Sequence, residues 1–99
     1  MPRLRYSHRS RTDLENIWGF IAVDSPRQAS AVLGRFRAKI EHLRRHPLTG
    51  HRHRELQPHV RCLNSDGYLI LYRYTGGIVC IDRIVHHSMD LPSLNLEDL

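Results

Sequence analysis

The chain has 99 residues, 40% of them hydrophobic and 25% charged, which describes one globular domain and excludes a disordered chain. A chain of this size buries only roughly 60–65% of its unfolded surface, so its own core is modest and help from a partner would matter. No apolar run approaches the about 20 residues of a membrane span, and the opening MPRLRYSHR lacks the apolar stretch of a secretory signal, so a cytoplasmic protein is expected.

The net charge of +5 rests on fifteen Lys and Arg, all arginine except Lys39. Arginine forks onto carboxylate and phosphate in a fixed plane and tolerates desolvation better than lysine. An acidic partner is therefore expected, with RNA, DNA and an acidic protein segment all left open. Cys62 and Cys80 fall in predicted strands and read as buried free thiols.

In chain order, Arg3-Leu4-Arg5-Tyr6-Ser7 alternates as a short opening strand. Thr12-Asp13-Leu14-Glu15 has the form of a capping box, followed at helical spacing by Leu14, Ile17, Trp18, Ile21 and Ala22. Trp18 lies on that stripe and is expected to pack. Ser25-Pro26-Arg27-Gln28 starts a second helix that should run to about Arg45, with Ala29, Val32, Leu33, Phe36, Ile40 and Leu43 on one side and an Arg37–Glu41 pair on the other. With only a turn between them, the helices form an antiparallel hairpin.

Pro47 ends the second helix, and HPLTGHRHREL is a basic loop. His59–Leu63 is a short strand, and Asn64-Ser65-Asp66-Gly67 is a turn. Two longer strands follow, joined at Thr75-Gly76-Gly77. Tyr68, Ile70, Tyr72 and Tyr74 alternate with Leu69, Leu71 and Arg73, while Ile78, Cys80, Asp82 and Ile84 alternate with Val79, Ile81, Arg83 and Val85. Both faces are thus largely apolar, and one layer of helices covers only one of them. The second, arginine-studded face is expected to be filled by a partner, unless the tail LPSLNLEDL covers part of it. Residues 1–90 form the domain and 91–99 a C-terminal tail. The order strand, helix, helix, three strands gives an α+β fold, β-α-α-β-β-β, with the hairpin on one face of a small, mainly antiparallel sheet.

The chain resembles the ParE/RelE superfamily of toxins from type II toxin–antitoxin pairs over nearly its whole length. The matching pieces are Asp13, Leu14 and Ile17; Leu43, Pro47 and Gly50; Glu55-Leu56 and Val60-Arg61; Tyr68, Ile70, Tyr72 and Arg73; and Arg83, Ile84 and His86. The resemblance implies one of two activities. RelE-like members are ribosome-dependent mRNA endonucleases, and ParE-like members are non-nucleolytic poisons of DNA gyrase.

An RNase of the first kind needs an acid, a base and cationic donors at one place, for which Arg61, Arg73, Arg83 and His86 are the candidates. Tyr68, however, stands where the nuclease branch often has an arginine, and the tail lacks that branch's final Tyr or His. His86-His87-Ser88-Met89-Asp90 is similar to the ParE-like ending His-Gly-x-Arg-Asp, with His87 for the glycine and Met89 for the arginine. The ParE-like branch is therefore expected, with no catalysis of its own, no cofactor and no metal.

A ParD-like antitoxin should bind Leu14, Trp18, Arg61, Tyr72, Arg73 and Arg83, and DNA gyrase should meet His86, His87, Met89 and Asp90. Direct contact with nucleic acid is expected only within that target complex. Arg61, Arg73 and Arg83 otherwise serve in ion pairs with Asp66, Asp82 or Glu55. His51 and His53, with His46 and His59 near them, lack a carboxylate or thiol at ligand spacing and read as solvated. Period two sends His86 and His87 to opposite faces, so at most one of them serves a site.

Overall fold

The computed structural model describes residues 2–94. Strand β1 (Arg3–Tyr6) leads into helices α1 (His8–Ala22) and α2 (Pro26–His42), and strands β2 (His51–Arg52), β3 (Arg61–Ser65), β4 (Tyr68–Thr75) and β5 (Ile78–His86) follow, with a short 3₁₀ turn at Leu91–Ser93. The sheet order is β1-β5-β4-β3-β2, with β1 parallel to β5 and every other pair antiparallel. This is the expected α+β architecture with one more strand. Strand β2 comes from the basic loop, where a two-residue pairing with Arg61 and Cys62 leaves no periodicity to detect.

Helix α1 starts a turn earlier than the Thr12 box implies. Its cap is Ser7, whose Oγ accepts from the Ser10 amide at 3.0 Å and donates to the Asp82 carbonyl at 2.7 Å. The Ser7 amide still donates to Ile81 O at 2.9 Å, so one residue ends the parallel strand pair, begins the helix and ties it to β5. Thr12 instead lies inside the helix, with its hydroxyl 3.3 Å from His8 O. Ser7→Ala should therefore lower unfolding free energy by about 2 kcal/mol, and Thr12→Ala by no more than about 0.5, read from urea midpoints.

Ser25 caps α2 as expected, accepting from Gln28 N at 3.1 Å behind Pro26. The helix stops at His42, not Arg45, because Pro47 disfavours helical geometry in the residue before it, and the last amides tighten onto carbonyls three residues back. Glu41 pairs with Arg44 at 3.1 Å rather than with Arg37.

The hairpins close on two-residue turns with left-handed backbones, Asp66-Gly67 (φ 55° and 82°) and Gly76-Gly77 (φ 59° and 77°). That conformation suits the right-handed strand twist and favours glycine. Between β4 and β5 the register slips at a bulge: Leu71 faces Arg83, but Tyr72 faces Ile81, leaving Asp82 as the extra residue. Strict alternation along β5 therefore fails. Ile84 joins Val79, Ile81, Ile70 and Tyr72 in the core beneath Ile17, Phe36, Ile40 and Leu43, instead of sharing a side with Cys80 and Asp82.

The second sheet face is not left open. Cys62, Leu69, Leu71 and Val85 are buried there with Val60 and Leu91, and Leu56 and Leu94 pack against them. The chain's own loop and the start of its tail supply the cover expected from a partner. The rest of the tail, residues 95–99, lies outside the described residues. Both cysteines are buried free thiols, and burial pushes the Cys62 thiol up.

Candidate functional site

The three arginines of the sheet serve three separate structural tasks. Arg73 forks onto Asp82, with Nε to Oδ2 at 2.7 Å and a second bond at 3.0 Å; Asp82 is 0% exposed and Arg73 only 9%. Arg83 makes the same fork on Asp13, at 2.8 and 3.1 Å, and the Ile84 amide donates to Asp13 Oδ2 at 2.9 Å. This clamps α1 onto β5 beyond the end of β1, whose pairing with β5 stops at Tyr6 and Ile81. Arg61 donates to Gly50 O at 2.9 Å and to Leu48 O at 3.4 Å, holding the basic loop.

The expected Arg73–Asp82 pair is present, but Asp66 pairs with Arg35 at 2.8 Å, and Arg35 holds its carboxyl below the usual range. Arg61, Arg73 and Arg83 thus do not converge on one point where a phosphoryl group would sit. Nor do they line an open face: Arg73 is shielded, and Tyr72 is fully buried. As antitoxin contacts, Tyr72 and Arg73 are corrected by this burial.

Tyr72 closes the other anchor of the basic loop. Its hydroxyl donates to Pro47 O and accepts from Gly50 N, each at 2.8 Å, and burial pushes the phenol up. A Cβ on Gly50 would lie 2.5 Å from the Tyr72 ring, so only glycine fits there. The sequence motif singled out both residues, but nothing in it joins positions 22 apart.

The end of β5 differs from expectation. The strand stops at His86, so His87 escapes the alternation that would separate the two, and their ring centroids lie 4.3 Å apart. His87 N–H donates to Gly67 O at 3.0 Å, and His86 Nδ1 lies 2.7 Å from Ser88 Oγ. The His86 ring meets Tyr68 edge-on at 5.6 Å, and Tyr68 meets Phe36 in the same way. Aromatic packing thus fills the Tyr68 position. His86, His87, Met89 and Asp90 sit together in one exposed turn, with Met89 N–H donating to His86 O at 2.9 Å.

The helical hairpin carries an opening of its own. A groove of about 260 Å³ is floored by Leu14, Leu33, Phe36 and Ile40, with Tyr6, Arg11 and Arg37 around it. Burial there pushes the Tyr6 phenol up. Trp18 is 40% exposed, because Leu14, Ile17 and Ile21 take the inward stripe; Phe20 and Val23 are exposed as well. The stripe residues were readable from sequence. The gap between them depends on how the helices diverge, which spacing does not encode.

Among the described residues no group of three or more His, Cys, Asp or Glu could hold a metal, and no helix is long and apolar enough to cross a membrane. A helical hairpin on a five-stranded sheet, with Arg61, Arg73 and Arg83 bonded within the fold and a partly apolar groove on the hairpin, defines a small α+β domain. The model of the ParE toxin of the type II toxin–antitoxin system, parDE, matches residues 4–91, and the chain belongs to this family.

It is a type II toxin by that membership. The fold is similar to that of a solved structure described as the chromosomal ParDE TA system from P. aeruginosa, with a TM-score of 0.74 and 20% identity, covering 87% of this chain and 96% of that one. No curated protein matches the chain.

Proposed function

We propose that this toxin arrests growth by binding and inhibiting DNA gyrase, without catalysis of its own, and that a ParD-like antitoxin neutralises it. The observation that carries this reading is the dispersal of Arg61, Arg73 and Arg83 into three separate structural bonds. Stabilising a phosphorane takes cationic donors aimed at one point, and these aim elsewhere. The exposed turn of His86, His87, Met89 and Asp90 is the surface proposed to meet gyrase. Surface-immobilised gyrase should capture the toxin, and His87→Ala with Met89→Ala should weaken capture; full retention of binding would move the contact elsewhere.

For the antitoxin, the fitting surface is the groove of Leu14, Leu33, Phe36 and Ile40 together with Trp18. Its apolar floor takes the apolar side of an amphipathic segment, and Arg11 and Arg37 take its acids. Arg11→Glu with Arg37→Glu should weaken antitoxin binding by about 10- to 100-fold in calorimetry, since two favourable rim pairs become repulsive. An unchanged affinity would place the antitoxin on another surface.

One observation favours the RelE-like alternative. The tilted His86–His87 ring pair brings two imidazoles to one place, as an acid–base mechanism requires. Cleavage of a defined message on programmed ribosomes, lost in His86→Ala, would establish that activity instead.

A further inference from the structure

The basic loop after α2 is not used by any of these roles, although the fold invests several bonds in fixing it. Tyr72 Oη bonds Pro47 O and Gly50 N at 2.8 Å, Arg61 holds Gly50 O at 2.9 Å, Thr49 Oγ1 donates to His46 O at 2.8 Å, and β2 pairs with β3. Farther along, Leu56 N–H donates to His53 O at 2.9 Å and Val60 N–H to Gln57 O at 3.0 Å. This fixed backbone carries Arg45, Arg52 and Arg54, all exposed and with no ion-pair partner among the described residues. Glu41, just before it, is taken by Arg44, which leaves Glu55 as the acid within residues 42–60.

The geometry points to a phosphate-backbone contact surface: the loop binds nucleic acid directly, through the forks of Arg45, Arg52 and Arg54. An acidic protein is the poorer fit. A protein interface needs a desolvated apolar or aromatic centre, and the large exposed apolar side chain on this loop is Leu48 alone. Phosphates need only positioned cationic donors, which arginine supplies in a plane. The inference departs from the expectation that nucleic acid is met only inside the target complex, and it stands whether or not gyrase is the target.

The experiment is fluorescence anisotropy of the purified toxin with a labelled DNA duplex of about 20 base pairs, and with a single-stranded RNA of equal length, across salt concentration. Three phosphate contacts predict a slope of log affinity against log salt of about −2.7 on the duplex, which is roughly a 40-fold loss between 50 and 200 mM salt. In Arg45→Gln/Arg52→Gln/Arg54→Gln that slope should fall towards zero. A matched variant, Arg3→Gln/Arg5→Gln/Arg27→Gln, removes the same charge elsewhere and should keep it. Circular dichroism confirms that both triple variants remain folded. Equal binding of DNA and RNA assigns the phosphate backbone itself, and a preference for one names its source. No binding at 50 mM salt, or equal loss in the two triple variants, overturns the inference, the latter because net charge alone would then account for binding.

Discussion

Asp82→Ala is expected to lower the unfolding free energy by about 3–5 kcal/mol, a large share of the roughly 5–15 kcal/mol that a domain of this kind has in total. Asp82 is fully buried, and its carboxylate receives two bonds from Arg73, itself nearly buried. Deleting the acid strands a guanidinium without its counter-charge in a low-dielectric setting. Replacing both residues, as in Arg73→Met/Asp82→Leu, should recover most of the loss, because an apolar pair of similar volume avoids desolvation of the ions. Urea denaturation of the two variants reads the difference. A cost below about 1 kcal/mol for Asp82→Ala would mean that the pair is solvated and that the bulge does not bury it.

The second large effect concerns Gly50. Its Cβ would stand 2.5 Å from Tyr72 Cε1 and Oη and 2.8 Å from Cζ, against a ring that has no solvent to move into. Gly50→Ala should cost about 2–4 kcal/mol, combining overpacking with loss of the hydroxyl bonds to Pro47 and Gly50. Tyr72→Phe keeps the packing and removes only those bonds, so it should cost about 1–3 kcal/mol. Hydrogen exchange separates the two causes. In Tyr72→Phe the amides of residues 47–54 should exchange faster while those of β4 and β5 keep their protection. Uniform acceleration through the sheet would show that the hydroxyl supports the core rather than the loop.

Local chemistry made much of the fold legible. Ser25-Pro26 begins α2, Asp66-Gly67 and Gly76-Gly77 make the hairpins, and the apolar stripes of both helices meet the sheet as their spacing implies except at Trp18, which stays 40% exposed. What was misread depends on contacts between distant residues. Ser7 outcompetes Thr12 as a cap because β5 offers the Asp82 carbonyl to its hydroxyl, a partner 75 residues away. The bulge at Asp82 shifts Ile84 to the helix side, and period-two counting has no means of registering an added residue.

The candidate site was legible in its residue types rather than in their roles. Asp13, Tyr72, Arg73 and Arg83 were all singled out as members of a motif, yet each is spent on holding the fold. The second apolar face was expected to be filled by a partner, whereas Leu56, Val60, Leu91 and Leu94 cover it from the same chain. His86 and His87 were separated on the assumption that the strand continued through both. It ends at His86, so the rings come together. The surfaces proposed for partners are the hairpin groove with the exposed Trp18, the turn after β5 and the basic loop.

The central claim is that this family member poisons gyrase by binding. Purified toxin titrated into gyrase with relaxed plasmid tests it most directly, alongside the same preparation on programmed ribosomes. Gyrase poisoning by binding is expected to give loss of supercoiling or accumulation of cleaved plasmid, relieved by antitoxin, with the message left intact. Unchanged gyrase activity at large toxin excess, while the message is cut, would contradict it.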